Sequence, residues 1–346
     1  MVRTREASSK AAGLPAGQAG VHEAVGLSDD QLRDMYYKML VARLLGDRMF
    51  ILNRQGRAHF AITGQGHEAC QVGSAFAIRP GRDWAVPYYR DIGVVLALGM
   101  TSREIMLHFF ARVGDPCSGG RQMPNHWSYP SLRIITQSSV VATQIPHAVG
   151  IALASKLRGE DDVSIVYFGE GATSEGDFHE GLNFAAIQKL PVVFFCENNG
   201  YAISEPQWKE MSVLNVSDRA RGYGLRGSTV DGNDAIAVYQ TTRWAVEECR
   251  RGHGPKLVEA KTYRLVPHSS SDDDRRYRSR AELEEWAKKD PLDRFRKYLG
   301  EHGLLDEEGA QALRAQAEAE VQDAVEYAES QPYPSTEDVL ANVYHP

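Results

Sequence analysis

The chain has 346 residues, 42% of them hydrophobic, which is enough to build a core for one large or two ordinary domains. A formal charge of −7 and a pI near 5.9 argue against nucleic acid or an anionic membrane as the main partner. Cys70, Cys117, Cys196 and Cys249 fall at no CxxC spacing, so neither a zinc site nor a disulfide framework is indicated, and scattered thiols suit a reducing compartment. No run approaches the ~18 apolar residues of a membrane-spanning helix.

Residues 1–26 are rich in Ala, Gly and Ser and carry Arg3, Arg5 and Lys10. They read as the flexible tail of a bacterial cytoplasmic protein, or as a transit segment to the mitochondrial matrix; without an apolar h-region a secretory signal is not expected. Order should begin at Leu27. Ser28 can cap a helix and Gln31 completes a capping box, with Leu27 and Leu32 as its staple. Leu32, Met35, Tyr36 and Met39 continue at helical spacing as core or subunit contact. Gly64 to Ala77 reads as a turn feeding a helix. Thr101 to Ala111 is a helix capped by Thr101 or Ser102, and Gly114 to Ser131 is a loop. Ala142 to Leu157 is a small-residue helix with Pro146 in its first turn. Val163 to Phe168 and Val192 to Cys196 are apolar on both faces, as buried parallel strands are. Ala235 to Arg251 is a helix and Leu257 to Leu265 a third strand. From Ser279 the composition turns charged and helical, with a start at Pro291 and a short last segment from Ser335 to Tyr344. The pattern predicts one doubly wound α/β domain with a parallel sheet over 27–278, and a helical C-terminal extension of it over 279–346.

The most informative stretch is Val163 to Ser204. Its first apolar run ends in Gly169-Glu170-Gly171; a helical segment follows; its second run leads to Asn198-Asn199-Gly200-Tyr201. Polar ligands thus stand at the carboxyl ends of two strands, where open parallel sheets bind ligands. Glycines beside a carboxylate allow close approach of phosphate, and a carboxylate facing an amide can hold Mg²⁺.

Gly-Glu-Gly, a helix, then Asn-Asn after an apolar strand resembles the thiamine-diphosphate motif. The form with Glu is similar to that in alpha subunits of the decarboxylating component of 2-oxo acid dehydrogenase complexes. The resemblance runs from about Leu27 to the C-terminus and implies the thiamine-diphosphate-binding fold. It implies Glu170, the Asn199 side chain and the Tyr201 carbonyl as metal ligands, with Gly169, Gly171 and Ala172 beside the cofactor. In VPYYRD, Tyr89 and Arg90 match a diphosphate contact, suited to the planar fork of Arg. GRQMPNHW (Gly120 to Trp127) resembles the branched-chain 2-oxo acid members and implies His126 near the acyl pocket, with Phe60 and Tyr89 as bulky pocket residues. In SSVVATQIP, Ser139 matches a substrate-facing residue and Val141 a support of the bent cofactor. Ser138, Thr143 and Gln144 match a monovalent-cation (K⁺) site of some members. The family's Ser-Pro-Leu-Ala appears as Ser139-Val140-Val141-Ala142, which departs from that cation motif. In TYRLVPHSSSDDDRRYRS, Arg264 matches a diphosphate contact, His268 the catalytic histidine, and Ser269 and Ser279 the phosphorylated positions of mitochondrial members. So many charges also predict a loop that is mobile until cofactor binds. Glu197 stands where some relatives carry a diphosphate-binding Arg, so Arg90 and Arg264 must suffice, or a partner must add a cation.

The implied reaction is oxidative decarboxylation of a branched-chain 2-oxo acid with acyl transfer to lipoamide. It needs a beta subunit in an α₂β₂ heterotetramer and a lipoyl acyltransferase core. The alternatives are a pyruvate or acetoin dehydrogenase alpha subunit, a Mg²⁺-dependent nucleotide-binding enzyme, for which no GxxxxGK[ST] loop is present, and a non-catalytic supporting subunit.

Overall fold

The computed structural model describes residues 21–341. The sequence expectations for residues 1–20 and 342–346 lie outside the described residues. The chain begins with α1 (Val21–Ala24), α2 (Asp29–Arg54), α3 (Glu68–Ala75), β1 (Trp84–Val86), α4 (Ile92–Ala97), α5 (Ser102–Phe109) and α6 (Gln144–Arg158). The central part follows as β2 (Ser164–Gly169), α7 (Gly176–Gln188), β3 (Val192–Asn198), the short pair β4 (Tyr201–Ala202) and β5 (Glu205–Pro206), and α8 (Gln207–Glu210). The rest is β6 (Arg226–Asp231), α9 (Ala235–Arg250), β7 (Lys256–Lys261), α10 (Arg280–Ala287), α11 (Pro291–Glu301) and α12 (Glu307–Ser330).

Local chemistry sets several boundaries. The Ser28–Gln31 capping box opens α2, and Thr101, not Ser102, caps α5 through a second box with Glu104. Pro291 sits in the first turn of α11, where its missing N–H costs nothing. Order begins earlier than Leu27. The helical turn α1 buries His22, whose Nδ1 lies 2.8 Å from the Tyr298 hydroxyl, so the tail expected over 1–26 is at least six residues shorter.

Five strands form one wholly parallel sheet in the order β1-β2-β3-β7-β6. Alternate residues feed two apolar layers. Ile165, Tyr167, Val193, Phe195 and Val258 pack toward α2, α3, α4 and α9. Val166, Phe168, Phe194, Cys196 and Leu257 pack toward α6 and α7. A sheet covered on both faces explains the unbroken apolar runs of β2 and β3. The polar edge strand β6 was not expected, because Arg226-Gly-Ser-Thr-Val-Asp231 has no apolar period. The buried face of α12 (Ala317, Val321, Ala324, Ala328) joins the core of α2 and α5.

Two contacts set the loops at the carboxyl edge of the sheet. Gly66 has φ +98°, and a Cβ there would lie 2.0 Å from the Tyr263 carbonyl oxygen, so only glycine lets this turn dock on the 262–265 segment. The turn is tied there by Thr262 Oγ1 donating to the Gly66 carbonyl (2.7 Å) and Leu265 N–H to Gln65 (3.0 Å). Glu68 accepts the Gly66 N–H (2.8 Å) and is itself held by Arg43, which also pairs with Asp290, so α2, α3 and the start of α11 are locked to the same turn.

Candidate active site

A cavity of about 440 Å³ opens at the carboxyl ends of β2 and β3. Gly169↔Glu197 is the last paired position of the two strands, so the residues that follow, Glu170 and Asn198-Asn199, emerge side by side. Glu170 is 1% exposed. Its Oε2 accepts the Asn199 N–H (3.1 Å), whereas Oε1 is buried with no hydrogen-bond partner. Burial pushes the Glu170 carboxyl up, against the Asn199 N–H and the fields of Arg264 and Lys261. Asn199 Oδ1 faces the Tyr201 N–H (3.2 Å). Opposite Tyr201 in the β4–β5 pair stands Pro206, which has no N–H to give to the Tyr201 carbonyl. Gly171 permits this crowding, because a Cβ there would lie 2.6 Å from Cβ of Ala202. A carboxylate oxygen without a donor, an amide oxygen and a backbone carbonyl form an all-oxygen set suited to a hard divalent cation.

Arg90 and Arg264 line the same cavity, and each is 1% exposed. Neither pairs with a carboxylate among the described residues. Arg90 donates to the Thr63 carbonyl (2.7 Å). Arg264 donates to the Ile203 carbonyl and the Tyr277 hydroxyl, both at 2.8 Å. Burial, and then the nearby Arg90, depress the Arg264 guanidinium below the usual arginine range. Two buried guanidiniums without a counter-ion are costly unless an anion completes them. The planar forks suit phosphate oxygens.

His268 lies on the same wall, with Nδ1 3.3 Å from Arg90 Nη2. Burial, Arg90 and Arg264 bring its pKa down to about 3 against the opposing Asp272, so the ring is neutral at pH 7. The segment around it is pinned. Arg278 donates to the Arg264 and Val266 carbonyls, and Ser270 and Ala61 exchange bonds. The charges of this loop divide: Arg275 and Arg276 are exposed, while Arg264 and Arg278 are buried.

Phe60, Ile62, Tyr89, Met123, His126, Ser139 and Val141 also line the cavity, with the Tyr89 ring against His268 and Arg90. His126 Nε2 lies 2.6 Å from Ser139 Oγ. Burial holds the His126 pKa below its ordinary value. Gly169, Gly171 and Ala172 lie on the cavity wall as well.

Some expected residues stand apart. Ser138 and Thr143 are not on the wall; the Ser138 hydroxyl accepts the Val140 N–H and the Thr143 hydroxyl donates to the Val140 carbonyl. Only Gln144 of that trio reaches the cavity, its amide donating to the Tyr167 carbonyl and its Oε1 buried without a partner. Ser279 is exposed and caps α10. Ser269 is 7% exposed and adjoins His268. Glu197 faces away from the cavity: its Oε2 accepts from the Tyr88 hydroxyl and from Gln71, both at 3.1 Å, and burial pushes its carboxyl up to about 7. It is not on the cavity wall, and its charge feels Arg90 only through space. No motif or spacing pointed to His67, a fully buried ring whose Nε2 lies 3.2 Å from Asn199 Nδ2.

Known proteins resemble this chain over most of its length. A family model described as "Dehydrogenase E1 component" matches residues 36–337. The chain is similar to the 2-oxoisovalerate dehydrogenase subunit alpha of Bacillus subtilis (strain 168), with 53% identity over 93% of this chain and 98% of that protein. It is 40% identical to the mitochondrial human 2-oxoisovalerate dehydrogenase subunit alpha over 92% of this chain and 71% of that protein. An Arabidopsis thaliana mitochondrial relative of the same name, subunit alpha 2, is 39% identical over 92% and 68%. With a five-stranded parallel sheet and a match over most of its length, the chain belongs to the dehydrogenase E1 component family.

Proposed function

We propose that this chain is the alpha subunit of a branched-chain 2-oxo acid dehydrogenase. It would act in an α₂β₂ assembly with a beta subunit and pass the acyl group to the lipoamide of an acyltransferase core. The observation that carries the reading is one cavity holding two buried, unpaired guanidiniums and a buried carboxylate oxygen without a donor. That donor set fits thiamine diphosphate with Mg²⁺. Arg90 and Arg264 would bind the diphosphate, and Glu170, Asn199 and the Tyr201 carbonyl the metal. A monovalent cation near Ser138, Thr143 and Gln144 has weaker support, since both hydroxyls are already bonded to Val140. The 53% identity to a bacterial relative and lower identity to mitochondrial ones favour a bacterial cytoplasmic setting.

When bound, thiamine diphosphate supplies the carbon nucleophile for the 2-oxo carbon and the sink for the electrons freed by decarboxylation. The protein's own part is to anchor, orient and enclose. Guanidiniums fixed before binding need no reorganisation as charge moves. Neutral His268 accepts from Arg90 at Nδ1, so its proton resides on Nε2 as a hydrogen-bond donor to the reacting oxygen. Ser139 and His126 bound the acyl end, and Phe60, Ile62 and Met123 give it apolar walls that favour a branched chain.

The test combines this chain with its beta partner, thiamine diphosphate and Mg²⁺ and measures CO₂ release from several 2-oxo acids. Branched substrates are expected to lead. A kcat/KM for pyruvate above that for every branched 2-oxo acid would reject the substrate assignment.

A further inference from the structure

A line of buried polar contacts runs behind the acyl end of the cavity. His108 on α5 and Asp115 in the next loop both have fully buried side chains. His108 Nδ1 lies 3.1 Å from Asp115 Oδ1, and His108 Nε2 accepts the His126 backbone N–H at 3.0 Å. Asp115 also takes the N–H groups of Cys117 (2.8 Å), Ser118 (3.3 Å) and Gly120 (2.8 Å) and the Ser118 hydroxyl (3.0 Å). His108, Asp115 and Cys117 bring their ligand atoms within 4.8 Å of one another, a cluster that could suggest a metal. The lone pairs decide against it. An imidazole bonded to a carboxylate through Nδ1 carries its proton there, and Nε2 is spent on His126. Asp115 is saturated, and burial pushes the Cys117 thiol well up, disfavouring the thiolate a metal needs.

The same bookkeeping fixes His126. Its Nδ1 lies 3.1 Å from the Pro124 carbonyl, which only accepts, so Nδ1 carries the proton and Nε2 accepts the Ser139 O–H at 2.6 Å. The residue before it, Asn125, has φ +64°, and its carbonyl accepts from Gln137 (2.9 Å). A turn in this sparsely populated region persists only where its surroundings hold it. We infer that Asp115 and His108 are positioning residues for the substrate end: Asp115 fixes the His108 tautomer, His108 holds the His126 backbone, and the His126 ring then directs the Ser139 hydroxyl. The inference rests on the reading of His126 and Ser139 as acyl-end residues.

The experiment uses the assembled alpha–beta protein carrying His108→Phe, His126→Ala, both together, and His108→Gln. His108→Phe keeps a ring against Trp127 (centroids 5.6 Å apart) but removes both bonds. It should raise KM for 2-oxoisovalerate on the order of tenfold, as sub-ångström misplacement of a positioning group does. Thiamine-diphosphate affinity by calorimetry should stay within twofold, because the anchoring residues lie elsewhere. In the His126→Ala background, His108→Phe should change KM less than twofold. His108→Gln, with one donor and one acceptor, should recover most of the loss, and it keeps the test alive if His108→Phe does not assemble. A second tenfold loss in the double variant, or parallel loss of cofactor affinity, would overturn the relay in favour of a general packing role. Unchanged KM in His108→Phe beside an impaired His126→Ala would overturn the relay alone. Unchanged kinetics in His126→Ala would overturn both the relay and the acyl-end assignment, leaving the cofactor site standing.

Discussion

Arg90 Nη2 lies 3.3 Å from His268 Nδ1, across 178 positions of sequence. A guanidinium can only donate, so this contact sets the tautomer of a histidine already held neutral by its buried surroundings. Under the proposed function it would also couple the diphosphate site to the group facing the substrate. Losing Arg90 would therefore affect both anion binding and the His268 proton.

Arg264→Met should abolish the thermal stabilisation that thiamine diphosphate and Mg²⁺ give the assembled protein. A ligand at a hundredfold its Kd contributes about 2.7 kcal/mol to stability, a gain that falls to about 0.4 kcal/mol when the Kd rises to match the concentration. Differential scanning calorimetry with and without cofactor reads this directly. An undiminished Tm shift in the variant would remove Arg264 from the anion site.

Glu170→Ala should lose Mg²⁺-dependent cofactor retention while keeping the fold, because the apo protein gives up only the Asn199 N–H bond to Oε2, and Oε1 has no partner to lose. Titration calorimetry of thiamine diphosphate with and without Mg²⁺ separates the two effects. Equal affinity in wild type and variant would sink the metal assignment.

Phe60→Ala should narrow the preference for branched 2-oxo acids. A group of this size in an apolar pocket discriminates by roughly 1–3 kcal/mol per methylene, so the ratio of kcat/KM values should fall without reversing. Unchanged ratios across 2-oxoisovalerate and pyruvate would place the selectivity on another wall.

The low pKa of His268 gives a signed pH dependence. Unfolding restores an ordinary histidine near 6.5 from a folded value of about 3, so the unfolded state binds more protons in that window. The stability His268 contributes is full above pH 6.5 and is lost as pH falls toward 3. The Tm of wild type minus that of His268→Gln should shrink from pH 7 to pH 4. His67, depressed for the same causes, is retained in both proteins and so cancels from the comparison. A difference independent of pH would contradict the neutral, buried assignment.

Ser269 is 7% exposed beside His268. A negative charge there should meet a desolvation cost and repel a substrate carboxylate. Ser269→Glu is expected to lose acyl transfer to a lipoyl substrate, whereas Ser269→Ala keeps much of it; full transfer in Ser269→Glu would show that the segment does not gate the site.

What was legible in the sequence was local or periodic. The caps at Ser28 and Thr101 act within three residues, the buried strands announce themselves as apolar runs, and Glu170 and Asn199 belong to one strand–helix–strand unit whose geometry is nearly obligatory. The parallel sheet and the cavity at its carboxyl edge followed from those. Tertiary structure alone decided the rest, because the deciding contacts join distant segments. The polar edge strand β6 has no period to read and exists by pairing with β7. Glu197 looked like a charge aimed at the diphosphate, but strand alternation turns it to the opposite face, toward Tyr88 and Gln71. The absence of carboxylate partners for Arg90 and Arg264, and the line from Asp115 through His108 to His126, depend on which groups the fold buries together. Pattern within a segment records which face is apolar; which charges meet, and which are left without a partner, is fixed only when the segments pack.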